Sequence, residues 1–272
     1  MGQVTAAQEH VLTPVEREFY CHTLAVFEQA KLDVLVGGAY AFARYTGIER
    51  HTKDLDVFVR RADFGKALRA LASAGYQTSL PFPHWLGKAY CGEFFVDVIY
   101  CSGNGIAPVD DEWFQNAPRD SVFDVPVMLC PREEMIWSKS FVQERERFDG
   151  AVVAHMLLKC ADSLDWRRLL RRFGADWRVL LSHLVLFGYI FPSERQRVPD
   201  WVMDELVGRL QTSTCVAPIA DRLCRGTLLS RQQYLLDVEQ WGFIDPRTRP
   251  ENPMTDDDIA TWTAGIADDG SK

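Results

Sequence analysis

The sequence predicts an α+β fold, a mixed sheet with helices followed by a mostly helical part. Two contrasts predict it. Up to about residue 130, short β-prone runs alternate with helical stretches and turn residues, whereas from Pro131 to about residue 240 long helical periods prevail and turn residues are few. The boundaries fall at 1–130 for the mixed part, 131–245 for the helical part and 246–272 for an acidic tail. That tail begins PRTRPENPMTDDD, is Pro-rich, charged and poor in aliphatics, and reads as extended.

The elements follow in order. Thr13 and Pro14, with Glu16 and a mixed apolar pattern through Ala30, predict an N-capped helix in which Pro sits in the first turn, where its missing N–H is not needed. VLV at 34–36 is a short buried strand stopped by Gly37-Gly38, and AYAFARY then has helical spacing, so the glycines lie between a strand and a helix start. DLDVFV at 54–59 is a strand, and 63–74 an amphipathic helix ended by Gly75. YQTSL reads as an edge strand and FFVDVIY at 94–100 as a strongly β-prone run. VFDVPVML at 122–129 predicts one further strand, which Pro126 confines to an edge or a bend. Asp149, just before Gly150 and a long apolar helix, reads as an N-cap.

Composition narrows the function classes. The chain has 272 residues, and 47% hydrophobic content suffices for a core. No run approaches the roughly eighteen apolar residues of a membrane span, and MGQVTAAQEHVLTPVERE lacks the basic start and apolar run of a signal peptide, so a cytoplasmic protein with no membrane partner is expected. Seven cysteines are odd in number, scattered and never C-x-x-C, and six histidines are equally dispersed. Neither a disulfide framework nor a zinc site is read, so any metal must use oxygen ligands. Of the net charge of -8, residues 251–272 carry -5, leaving -3 for the body, too acidic for a broad surface that binds duplex DNA. The one dense basic cluster, Arg167, Arg168, Arg171 and Arg172, reads as a solvated helix face.

The chemistry lies in the order of three features. Along strand 54–59 side chains alternate, so Asp54, Asp56 and Phe58 share a face. Two carboxylates side by side repel, and a shared divalent cation keeps both ionised. Asp97 likewise interrupts an apolar strand, on the face of Phe95 and Ile99; if that strand neighbours the first, three carboxylates converge. Singly, each feature has a bland reading: a turn, a solubility device, an exposed strand end. Together, a buried strand ending in Gly-Gly, a helix, D-h-D on the next strand and h-D-h on a later one reproduce a phosphate cradle facing a two-metal site.

These residues resemble the nucleotidyltransferases of the DNA polymerase β superfamily, whose signature of a Gly-Gly or Gly-Ser turn, a D-h-D pair and a distal third carboxylate is similar to Gly37-Gly38, Asp54-Leu55-Asp56 and Asp97. Fifteen residues separate Gly38 from Asp54, and with the R-x-T-x-D-x-D run (Arg50, Thr52, Asp54, Asp56) this looks most like the abortive-infection toxin-like branch. An acidic helix with a Lys, then an R-x-x-D or R-D element, is matched by Glu133, Glu134, Lys139 and the stretch Arg145 to Asp149. The resemblance spans roughly residues 32–155 and implies a polymerase β-like fold, with the helical part closing the nucleotide cleft.

For activity, the resemblance implies magnesium-dependent transfer of a nucleoside monophosphate from an NTP to an acceptor hydroxyl, with pyrophosphate release. Asp54 and Asp56 would bridge two magnesium ions and Asp97 ligate one of them and help remove the acceptor proton. The N–H groups of Gly37 and Gly38 would hold phosphates, with Arg50, Thr52 and Lys139 completing the nucleotide site. The acceptor stays open: a small hydroxylated molecule such as an aminoglycoside or lincosamide, a protein side chain, or a tRNA end. Two other classes compete. A glycosyltransferase also binds metal through D-x-D but gives no reason for Gly-Gly one helix upstream, and a catalytically silent nucleotide-binding module would bind without turnover.

Overall fold

The structure, a computed structural model, describes residues 13–50, 52, 54–214, 221–250, 252 and 254–265. The N-terminal stretch 1–12, read above as lacking a signal peptide, and the last part of the expected tail, 266–272, lie outside the described residues.

A seven-stranded mixed sheet forms the first part. Its strands are β1 (Leu35–Val36), β2 (Asp54–Phe58), β3 (Gln77–Phe82), β4 (Leu86–Cys91), β5 (Phe94–Ile99), β6 (Arg119–Val122) and β7 (Val125–Leu129), in spatial order β3-β4-β5-β2-β1-β7-β6. β2 pairs with β5 in parallel and β4 with β5 antiparallel. Leu55, Val57, Val96 and Val98, alternating with the acids, are fully buried on the sheet face covered by α1 (Pro14–Gln29) and α3 (Arg61–Ser73). The opposite face carries Asp54, Asp56 and Asp97. Helix α2 (Gly38–Thr46) begins directly at the end of β1, and α4 (Asp111–Gln115) precedes β6.

The helices expected after Pro131 are present. α5 (Arg132–Ser140), α6 (Gly150–Cys160), α7 (Trp166–Phe173), α8 (Trp177–Ile190) and α9 (Asp200–Thr214) are followed by α10 (Leu235–Glu239) and α11 (Asp256–Ala264). α6 packs on α2, α5 and α8, so one continuous apolar core runs from the sheet into the helices. Among the described residues no helix is long and apolar enough to cross a membrane.

Several expectations hold in detail. Thr13 and Glu16 form a reciprocal capping box, and β3 lies at the sheet edge. Others are corrected. Residues 119–129 form a hairpin rather than one strand, turning at Phe123 and Asp124, both with left-handed backbone (φ 56° and 64°). Such two-residue turns usually advertise themselves with Asn-Gly or Gly, and Phe-Asp does not. Pro126 lies in β7, which is not an edge strand. β1 reaches β7 only at Met128 and Leu129, so beside Pro126 there is only β6, and the missing N–H costs no bond to β1. β4 was not read at all, because LGKAYC holds a glycine where α3 presses on the sheet: a Cβ on Gly87 would sit 2.9 Å from a Leu68 methyl.

The tail is not simply extended. Residues 256–264 are helix α11, capped by Thr255 and Asp258, with Trp262 buried and a Cβ on Gly103 only 2.8 Å from its ring. Burying one large aromatic outweighs an acidic composition. The basic cluster is also divided. Arg168 and Arg172, four residues apart on one face of α7, are buried against carboxylates, so only part of the cluster is a solvated face.

Candidate active site

β1, two buried residues long, delivers the chain to Gly37. The Gly37 N–H donates to the Asp56 carbonyl (3.0 Å), tying the turn to β2, so it is spent inside the fold, and of the two glycines expected to hold phosphate Gly38 is the one that lines the cavity. Gly38 follows with φ +55°, and a Cβ there would lie 1.7 Å from an Asp56 carboxylate oxygen, so only glycine fits beside that side chain. No side chain caps α2 at Gly37, and the helix start, Gly38 and Ala39, lines a cavity of about 560 Å³. Uncapped N–H groups at a helix N-terminus suit an anion.

The floor of this cavity is acidic. Asp56 stands opposite Asp97 in the parallel β2–β5 pair and Asp54 opposite Phe95, so all three carboxylates leave one face. A carboxylate oxygen from each lies within 4.8 Å of the others. Burial, then the neighbouring Asp54 and Asp97, pushes Asp56 up to about 7. Burial also raises Asp97, to about 6, although the Lys88 ammonium works in the opposite direction. Thr52 donates its hydroxyl to the Asp54 carboxylate.

The other expected site residues divide. Arg50, Thr52 and Lys139 all line the cavity. The Arg50 guanidinium lies 4.4 Å over the Phe42 ring, and the Lys139 ammonium is 3.1 Å from the Asp149 carboxylate. Asp149 stands at the start of α6 but makes no capping bond; its carboxylate serves Lys139 and Arg147 instead. Burial pushes Asp149 upward, but those two cations outweigh it and hold the group below its ordinary value. Glu133 and Glu134 are not at the cavity. They are buried against Arg168 and Arg172, because they point from α5 toward α7. Arg145 is exposed, and Arg147, two residues on, is the arginine that lines the cavity.

Four features of the site were not read from the sequence. Lys88, in the unread β4, places its ammonium 2.8 Å from Asp97. Arg147 carried a signal in the R-F-D run ending at Asp149. The Glu144–Arg231 pair (2.9 Å) and the buried face of Trp262 come from chain segments far from the carboxylates, where no local pattern marks them. The cavity lining holds equal numbers of formal charges, Asp54, Asp56, Asp97, Glu144 and Asp149 against Arg50, Lys88, Lys139, Arg147 and Arg231.

No protein-family model matches the chain, and no curated protein matches it in sequence. Solved structures are similar to it in outline. The antibiotic-resistance factor ANT(2'')-Ia is similar over 63% of this chain and 98% of its own, with 17% identity and a TM-score of 0.46. The lincosamide antibiotic adenylyltransferase LnuA, lincomycin-bound, is similar over 53% of this chain and 96% of its own, at 15% identity and a TM-score of 0.38. An antigenic nucleotidyltransferase-like protein from Paracoccidioides brasiliensis is similar over 63% and 93%, at 16% identity and a TM-score of 0.35.

Proposed function

We propose that the chain is a nucleotidyltransferase that moves a nucleoside monophosphate from an NTP to an acceptor hydroxyl. The observation that carries this reading is the convergence of Asp54, Asp56 and Asp97 on one cavity floor, directly beside the uncapped start of α2. The donor set is all carboxylate oxygen, which suits magnesium, and Gly38 clears the space a side chain would fill. Asp54 and Asp56 would hold the metal, with Asp97 beside them as the third acid of the set. When bound, magnesium supplies countercharge to the phosphate oxygens and the leaving pyrophosphate.

The chain's own residues have separable tasks. The first N–H groups of α2 bind phosphate oxygens, with Arg50 at the cavity wall and Lys139 and Arg147 beside it on Asp149. Thr52 fixes the Asp54 carboxylate by its hydroxyl bond. Asp97, the more deeply buried acid, accepts the acceptor proton. Phe42, buried in α2, holds the Arg50 guanidinium over its ring at the cavity. The helical part, 131–245, supplies Lys139, Glu144, Arg147 and Asp149 to the cavity and forms the second wall of the cleft, as a domain distinct in role from 1–130. The toxin-like branch rests on the R-x-T-x-D-x-D run and on Glu133, Glu134, Lys139 and Arg145 to Asp149, of which Lys139 and Asp149 pair at the cavity while Glu133, Glu134 and Arg145 lie away from it. A small hydroxylated acceptor suits a cavity of about 560 Å³, and the reading includes a cytoplasmic site of action.

The deciding experiment supplies each α-labelled NTP with magnesium and cell extract, and follows both label transfer and pyrophosphate. Labelled acceptor with equimolar pyrophosphate is expected. Nucleotide binding with no product under any condition would make the chain a silent module, and free nucleoside diphosphate from a nucleotide sugar would make it a glycosyltransferase.

A further inference from the structure

Lys88, Asp97 and Asp56 stand in one row across three neighbouring strands. Asp97 is the pairing partner of Asp56 in β2–β5 and of Lys88 in β4–β5, so the three side chains leave the same sheet face side by side. The Lys88 ammonium lies 2.8 and 3.1 Å from the two oxygens of Asp97 and 4.1 Å from the centre of the Phe95 ring. Backbone pairing brings the lysine to this carboxylate, and the face of the Phe95 ring attracts its ammonium. A lysine on a mobile loop could leave when a cation arrived; this one is anchored by register.

Charge around the row points the same way. Lys88 returns +1 to the three carboxylates, a counter-charge built into the row before any ion arrives. Of the other cations lining the cavity, Lys139 and Arg147 pair with Asp149 and Arg231 with Glu144, while Arg50 lies over Phe42; Lys88 is the one paired with a carboxylate of the row. Both Asp97 oxygens are already occupied by Lys88, whereas among the described residues no ion pair reaches Asp54 or Asp56. The two strands therefore offer unequal metal positions, an open one at Asp54 and Asp56 and a contested one at Asp97.

We propose that Lys88 is a positioning residue that takes the place of a second divalent ion at Asp97. It holds the Asp97 carboxylate with its ammonium, so that the nucleotide complex carries one ion, on Asp54 and Asp56, where the family resemblance implies two. This rests on the metal-dependent nucleotidyl-transfer reading above. A merely structural lysine would change folding when removed, but not the number of ions bound.

The test counts manganese, as a probe ion, bound to the full chain with the non-transferring nucleotide α,β-methylene-ATP, by titration calorimetry and electron paramagnetic resonance. Wild type is expected to bind one ion per complex with an uncoupled spectrum. Lys88→Met is expected to gain a second ion, its affinity raised at least tenfold, with the coupled spectrum of two ions about 3.5–4 Å apart. Lys88→Arg should restore the count of one. A wild-type count of two overturns the proposal, whether or not Lys88→Met folds, as does a folded Lys88→Met that still binds one. No manganese in wild type, with or without nucleotide, is a different failure and overturns the metal-dependent reading itself.

Discussion

The molecule gathers carboxylates in two places and treats them in opposite ways. Between α5 and α7, Glu133 and Glu134 lie buried with Arg168 and Arg172, and Arg172 also grips Asp110 at 2.6 Å. Every acid there has a guanidinium. On the sheet, Asp54, Asp56 and Asp97 crowd together, and among the described residues only Asp97 has a cation. The first cluster satisfies itself and ties two helices together. The second leaves negative charge facing a cavity, an arrangement that helps folding little and suits a bound cation. Burial of acids alone therefore says little; what matters is whether the protein supplies the counter-charge.

The largest effect that follows is on turnover. Asp56→Asn removes a carboxylate at the centre of the unpaired cluster and should lower nucleotidyl transfer by about 10³-fold or more, the several kcal/mol that metal-assisted charge stabilisation supplies. Its melting temperature without metal should hold or rise, since a repulsion has been removed. Steady-state turnover and a thermal melt check both. A variant that loses stability and keeps its rate would place Asp56 in the structural class instead.

The self-satisfied cluster should respond the other way. Arg168→Met leaves Glu133 without a cation and Glu134 with Arg172 alone, and should cost about 3–5 kcal/mol in stability, as breaking a buried pair does. Turnover per folded molecule should stay within about twofold of wild type, because Arg168 touches nothing in the cavity. Urea titration measures the first quantity and active-site-normalised rates the second. A rate loss larger than the loss of folded protein would mean the two clusters communicate.

The sequence exposed these clusters unequally, for physical reasons. Asp54, Asp56 and Asp97 were legible because strand alternation fixes which face a residue takes, and an acid in a β-branched run stands out. Strand pairing was not legible, and Lys88 went unnoticed since its meaning depends on β4 meeting β5 in one register. Glu133 and Glu134 carry the same local pattern as site acids. Their true partners are more than thirty residues away, and only the i, i+4 spacing of Arg168 and Arg172 hinted that α7 has a buried charged side. Trp262 was hidden by the acids around it, although Thr255 and Asp258 already had the spacing of a helix cap.

A smaller effect tests how tightly the unpaired cluster is built. Valine at position 38 would meet both a left-handed backbone and the Asp56 carboxylate, so Gly38→Val should push that side chain out of place rather than only crowd a phosphate. A displacement of about 1 Å at reacting groups costs on the order of 10²-fold in rate. Metal affinity and triphosphate affinity should fall together, measured by calorimetry. Loss of triphosphate binding with unchanged metal affinity would show that Gly38 serves the phosphates alone.

The smallest effect is a stability change with pH, and its sign separates the clusters without any assay of turnover. Asp56 and Asp97 ordinarily titrate near 3.8 but are raised to about 7 and about 6 in the fold. Between those values the folded chain keeps protons that the unfolded chain has released, so metal-free stability should fall as pH rises from about 4 to 7 and level off above. Magnesium binds the deprotonated acids and should act in the opposite sense. Its stabilisation should be nearly absent at pH 5 and complete by pH 8, where an ion at ten times its dissociation constant adds about 1.4 kcal/mol, a few degrees in melting temperature. Arg168→Met should lower melting at every pH yet keep this magnesium increment, while Asp56→Asn should flatten the upper part of the curve and lose the increment. Should magnesium stabilise wild type equally at pH 5 and pH 8, the ion is binding somewhere other than these carboxylates, and the contrast between an unpaired and a self-satisfied cluster loses its functional meaning.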